Sequence, residues 1–95
     1  MKYRFTAQGS VDLSEAVSSY DSQRRGLGAE FAVEVGIAIS RVLESPDTWP
    51  EIELGLPKYR LRRFPFALIY RRITVQLVEV VAVFDLRRRP GPWRR

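Results

Sequence analysis

The 95-residue chain contains no cysteine and no histidine. Without cysteine there is no disulfide framework, no thiolate metal site and no thiol nucleophile. Without histidine the commonest general base near neutral pH and the commonest metal ligand are both missing. No run of about 18 apolar residues occurs, so no segment has the composition of a membrane-spanning helix. The opening Met1-Lys2-Tyr3-Arg4-Phe5 lacks the apolar stretch of a secretory signal, and the cytoplasm is the expected compartment. No metal and no cofactor is expected.

Apolar residues make up 45 % of the chain, enough for the core of one small domain spanning residues 1–95. The net charge is +5, and its distribution is uneven. Residues 1–55 hold five Lys/Arg against nine Asp/Glu, whereas residues 56–95 hold eleven against two. Fourteen of the sixteen basic residues are arginine, whose planar fork pairs bidentately with phosphate or carboxylate. A polyanionic partner is the natural expectation, either nucleic acid or an acidic protein.

Residues 1–8 read as a short strand with Tyr3 and Phe5 on one face, broken by Gly9. Asp12 and Glu15 have the spacing of a capping box, which predicts a helix start at Asp12. Leu13, Ala16, Val17 and Tyr20 then fall on one helical stripe. Gly26 suits the left-handed end of that helix. A second helix from Gly28 puts Leu27, Phe31, Val35, Ala38, Ile39, Val42 and Leu43 on one face and stops before Pro46. Ala29, Ala32 and Gly36 together would admit the close approach of another backbone. The short Arg25–Gly28 link predicts an antiparallel helical hairpin.

Residues 46–57, with three prolines, read as a loop. From Lys58 the period becomes two, with Tyr59 and Leu61 on one face and Lys58, Arg60 and Arg62 on the other. Ala67–Arg72 is a second strand, with a soft boundary at Ile73-Thr74. Residues 75–84 are almost wholly apolar apart from Gln76 and Glu79, as in an interior strand covered on both faces. The order β-α-α-β-β-β predicts an α+β fold, with a helical hairpin packed on one face of a small, mainly antiparallel sheet. Tyr70 and Trp49 read most simply as packing residues, and Arg71 and Arg72 as surface flanks of a turn.

Four segments, in this order and spacing, resemble the RelE/ParE family of toxins from type II toxin–antitoxin systems, also known as plasmid stabilisation proteins. They are Gly26-Leu27-Gly28-Ala29-Glu30-Phe31; Pro46-Asp47-Thr48-Trp49-Pro50; Tyr59-Arg60-Leu61 with Arg63-Phe64-Pro65-Phe66 and Ile69-Tyr70-Arg71; and Val81-Ala82-Val83 followed by Arg88, Pro90 and Trp93. The resemblance implies a RelE/ParE-like fold. It also implies a growth-inhibiting toxin neutralised by a cognate antitoxin, whose acidic segment folds onto the toxin. Phe31, Val35 and Trp93 are the residues expected at the antitoxin interface.

Two activities occur in such a family. RelE-like members cleave mRNA on the ribosome without metal, using basic residues to hold phosphate. Arg60, Arg62 and Arg88 match those positions, and Arg60, Arg62, Arg63, Arg71, Arg87, Arg88 and Arg89 form the wider set expected to contact a phosphate or target. Three departures weaken that activity. Ala67 stands where a further arginine is expected, Pro92 where a tyrosine is expected, and Asp85 where a histidine is common. Arginine itself, with a pKa above about 12, is a poor base. ParE-like members instead poison DNA gyrase through protein contact, and the missing residues favour that reading. A non-toxic nucleic-acid-binding module is the remaining alternative.

Overall fold

The computed structural model describes residues 1–53 and 55–88. Its elements are β1 (Lys2–Phe5), α1 (Ala7–Gln23), α2 (Leu27–Glu44), β2 (Glu51–Glu53), β3 (Leu56–Arg60), β4 (Phe66–Thr74) and β5 (Leu77–Asp85). They build one five-stranded sheet in the order β1-β5-β4-β3-β2. The β2, β3, β4 and β5 neighbours are antiparallel, and β1 returns parallel to β5. The expected layout is present, with a short extra strand, β2, in the segment read as a loop.

The first helix begins earlier than its capping signal suggests. Thr6 is the N-cap, its Oγ1 accepting from the Gly9 backbone N–H at 3.0 Å. Asp12 lies inside the helix and does not cap it. Its Oδ2 accepts from the Val83 N–H at 3.1 Å, and its Oδ1 from Gln8 Nε2 at 2.9 Å. Gly9 does not break the chain but lets α1 lie against β5. A Cβ there would stand 2.7 Å from the Val80 carbonyl oxygen, closer than carbon and oxygen tolerate.

The turn between the helices follows its sequence signal. Gly26 adopts φ +91, a left-handed conformation with little cost for glycine alone. Asp21 Oδ1 accepts from the N–H groups of Gly26 and Gly28, at 2.9 and 3.2 Å. A Cβ on Gly28 would lie 2.5 Å from the Val17 carbonyl oxygen, so the close helix–helix approach occurs at Gly28. The expected approach at Ala29, Ala32 and Gly36 does not occur. That stripe faces outward, and nothing lies within 4 Å of a Cβ placed on Gly36.

The main core lies between the hairpin and the sheet. Tyr20, Phe31, Phe64 and Phe66 form an aromatic cluster with ring centroids 4.9–5.9 Å apart. Leu68, Tyr70, Val78, Val80 and Val83 close it from the sheet side. Tyr70 is held at depth by donating its hydroxyl to the Pro46 carbonyl at 2.6 Å. The segment after α2 is thereby tied beneath the sheet, and Trp49 packs edge-on against Tyr59 with centroids 4.6 Å apart.

A register shift in the β4–β5 ladder decides which residues face outward. Ile69 pairs with Ala82 and Tyr70 with Val80, so Val81 is an extra residue. Such a bulge reverses the alternation beyond it. Val78 and Val80 face the helices and so does Val83, whereas Glu79, Ala82 and Phe84 face away. Ile69, Ala82 and Phe84 form a small second cluster with Leu56 and Leu86 on the face away from the helices.

Candidate functional site

The face away from the helices carries ordered rows of side chains, set by the strand register. Arg60 stands beside Ala67 and Phe84, and Lys58 beside Ile69 and Ala82. Arg71, Glu79 and Arg4 are consecutive partners across β4, β5 and β1. The cations at β3 already have carboxylate partners. Arg60 Nε donates to both Glu51 oxygens at 2.8 and 2.9 Å. Lys58 Nζ lies 3.7 Å from Glu51 and 3.6 Å from Glu53. The strand β2, unforeseen from the sequence, supplies both acids. Ala67 is fully buried between Arg60 and Phe84, and among the described residues no third cation joins the row.

The arginines expected to form one phosphate-binding patch are divided among several places. Arg60 and Arg62 border a small pocket of about 250 Å³ with Trp49, Pro50, Glu51 and Lys58. Among the described residues Arg62 has no ion-pair partner. Arg63 turns toward α2 and pairs with Glu30, which also binds Arg24. Its guanidinium sits 5.1 Å from the Phe64 ring centroid. Arg71 pairs with Glu79, and Arg72 reaches the loop after α2, 2.5 Å from Asp47. Arg87 and Arg88 gather on Asp85. Arg88, after β5, pairs with Asp85, whereas Arg60 and Arg62 share the pocket at β3. Arg89 and Trp93 lie outside the described residues.

Phe31 and Val35, expected at the antitoxin interface, are 0 % and 2 % exposed. Both point into the core, so neither offers surface to a partner. The solvent face of α2 instead presents Val33 and Ile37.

A feature the sequence reading missed is the outer edge of β5. Pairing with β1 ends at Phe5↔Val80, so, among the described residues, positions 81–85 have a strand neighbour only on the β4 side. Thr6 Oγ1 donates to the Val81 carbonyl at 3.1 Å, and Asp12 accepts from the Val83 N–H. Side chains of α1 and of its N-cap residue thus cap an edge that a strand would otherwise fill, one way of protecting open sheet edges. The edge lines a groove of about 650 Å³, walled by Asp12, Glu15 and Ser19 of α1 and continuing over Ile69, Ala82 and Phe84 to Arg87 and Arg88. Its sequence signal was length: a four-residue β1 cannot cover a nine-residue β5.

The electrostatics favour fixed charges over proton transfer. Hydrogen bonds from Arg63 and then Arg24 lower the pKa of Glu30. For Glu79 the Arg71 hydrogen bond leads, burial opposes it, and Arg4 adds to it, so the carboxyl sits below its usual range. Burial alone would raise Asp85, but hydrogen bonds from the Arg87 side chain and backbone outweigh it. Burial, assisted by Asp47, pushes the Tyr70 phenol up to about 12, so it remains a donor at neutral pH. Among the described residues no group of three or more Asp/Glu could hold a metal ion, and no helix is long and apolar enough to cross a membrane.

No family model matches the chain, and no curated protein matches it. Among solved structures, one chain from "Chromosomal ParDE TA system from P. aeruginosa" is similar, with a TM-score of 0.75. The match covers 90 % of this chain and 96 % of that one, at 13 % sequence identity. At that identity the likeness is one of architecture: two helices on a five-stranded sheet in the β-α-α-β-β-β-β order, the RelE/ParE-like fold.

Proposed function

We propose that this protein is the toxin of a type II toxin–antitoxin module and that it inhibits growth by binding a protein target of the gyrase type. The module assignment rests on the similarity to a ParDE-system chain over nearly the full length of both. The choice of mechanism rests on one observation. The two cations of β3 on the open face, Lys58 and Arg60, are already paired with Glu51 and Glu53. A phosphate entering there would have to displace a carboxylate. No histidine is present to move the proton of a 2′-hydroxyl, and ionised carboxylates engaged by guanidiniums are weak bases.

The antitoxin of such a module is a separate acidic chain, and the groove along β5, with Arg87 and Arg88 at one end, offers it a surface. An extended segment there would replace the Thr6 and Asp12 side-chain caps with main-chain hydrogen bonds to the edge.

Inducing the chain in bacteria, with and without a neighbouring reading frame encoding an acidic helical protein, tests the module. Growth arrest relieved by the neighbour is the expected result. In vitro, purified protein should inhibit supercoiling by gyrase, while primer extension on induced cells shows intact mRNA. A specific observation favours a second reading, ribosome-dependent cleavage of mRNA: Arg62 borders the same pocket as Arg60 and has no ion-pair partner among the described residues. Under that reading, cuts recur at fixed codon positions and disappear in the Arg60→Ala/Arg62→Ala variant. Undisturbed growth on induction alone would leave the non-toxic binding module as the account.

A further inference from the structure

Among the described residues, several carboxylates are each shared by two arginines: Glu30 by Arg24 and Arg63, Asp85 by Arg87 and Arg88, and Glu79 by Arg4 and Arg71. The Glu79 row differs from the others in two ways. Its carboxylate is the most buried, with 9 % of the side chain exposed, and its members come from three adjacent strands in direct register. Arg4 Nε donates to Oε2 and Arg71 Nε to Oε1, both at 2.8 Å. Two guanidiniums are therefore held over one rigid, central position of the sheet, while each side chain remains about half exposed.

One arginine would neutralise a buried glutamate. The second is surplus, and bringing two like charges together costs energy unless something else uses them. Each guanidinium has five N–H donors, and Glu79 engages only one on Arg4 and two on Arg71. Lys2, two residues before Arg4 on the same strand and hence on the same face, adds a further cation.

We infer that the Arg4–Glu79–Arg71 row is a seat for a phosphodiester of a nucleic-acid backbone, which it holds without cleaving. Arginine binds carboxylate as well as phosphate, and the surroundings decide between them. Docked protein segments need apolar anchors at their centre. Around this row the apolar side chains offer little anchorage: Ile69 and Ala82 are buried and Leu77, across from Lys2, is half-buried, so the charged heads of Lys2, Arg4 and Arg71 dominate. Backbone phosphates need only fixed cations. Glu79 acts as a positioning residue: both of its oxygens are occupied, so it orients the guanidiniums and takes no proton from a substrate. The seat stands apart from the Arg60 pocket and from the β5 groove, and it does not depend on the toxin reading.

The test is binding of the full chain to a short fluorescein-labelled oligo-dT, followed by anisotropy across a salt series. Arg4→Gln/Arg71→Gln should weaken binding by at least about tenfold and flatten the log–log salt slope by about 0.7, the value of one single-strand phosphate contact. Arg24→Gln/Arg25→Gln removes the same charge elsewhere and should change affinity less than about threefold. Equal losses in the two double variants would reduce the effect to net charge and overturn the assignment. So would an acidic peptide that competes as well as unlabelled oligo-dT of equal charge. A measurement on unaltered protein covers the case in which the variant does not fold. On titration with oligo-dT, the Arg4 and Arg71 Nε–Hε signals should shift saturably in ¹H–¹⁵N spectra while that of Arg24 stays still. Stationary Arg4 and Arg71 signals would overturn the proposal.

Discussion

The two faces of the sheet are made by alternate residues of the same strands and are held by different forces. On the helix side, Leu68, Tyr70, Val78 and Val80 meet an aromatic cluster drawn from both helices and the 61–66 corner. On the other side a few apolar residues lie beneath rows of ion pairs. The first face supplies the non-directional burial that drives folding. The second contributes less to stability, because half-exposed ion pairs are worth at most about 1 kcal/mol each. Its charges are consequently free to serve recognition.

The sharpest way to break this comparison is to cut into each face in turn. Phe31→Ala removes a ring with no exposed surface and should destabilise the chain by about 3–5 kcal/mol. Total stability for a domain of this size is on the order of 5–15 kcal/mol. Ile69→Ala, on the thinner side, should cost closer to about 2 kcal/mol, since its surroundings can settle toward solvent. Urea midpoints for the two variants decide the matter. Equal losses would mean that the second cluster is as much a core as the first.

The next contrast is between two glycines of opposite sign. Gly9→Ala would drive a methyl group into the Val80 carbonyl and force α1 away from β5, at a cost of about 1–3 kcal/mol. Gly36→Ala meets open space on an exposed helical face and should stabilise by up to about 1 kcal/mol. Thermal melts of the pair check the sign as well as the size. A smaller effect belongs to Thr6→Val, which removes both the cap on α1 and the donor to the Val81 carbonyl. A loss of about 1 kcal/mol is expected, with faster hydrogen exchange at Gly9.

The helical hairpin and β5 were legible because each depends on local pattern: stripes of period 3.6, a glycine at the turn, and an apolar run of strand length. The start of α1 was not. Asp12 has the residue type and spacing of a cap, but its carboxylate meets β5, 71 residues away in sequence. Nor could the composition of Glu51–Glu53 reveal an edge strand, since the pairing that makes it one comes from β3. The bulge at Val81 was hidden within a uniformly apolar run, where alternation cannot be read. Most consequential was the charge count. Acids clustered in the first half and arginines in the second suggested a free basic surface. In the fold the halves meet, through Arg63 and Glu30, Arg72 and Asp47, and Arg60 and Glu51. The row in which cations outnumber a deeply buried acid joins Arg4 to Glu79 across 75 positions, beyond any local spacing rule.

Acid should distinguish the faces where mutation alone does not. Arginine hydrogen bonds hold the folded-state pKa of Glu79 below its usual 4.5, and those of Glu30 and Asp85 are lowered likewise. A lowered folded-state value means that the unfolded chain binds protons first as the pH falls. The contribution of Glu79 to stability is therefore complete above about pH 4.5 and disappears as the pH drops through its folded-state value. The urea midpoint of the wild type should exceed that of Glu79→Gln by a constant amount from neutral pH to that point, and the gap should then close. The deficit of Phe31→Ala involves no proton and should persist over the same range wherever the fold survives. A Glu79→Gln gap that stayed open in acid would show that its effect came from altered packing rather than from the ion row, and the physical division between the two faces would not hold.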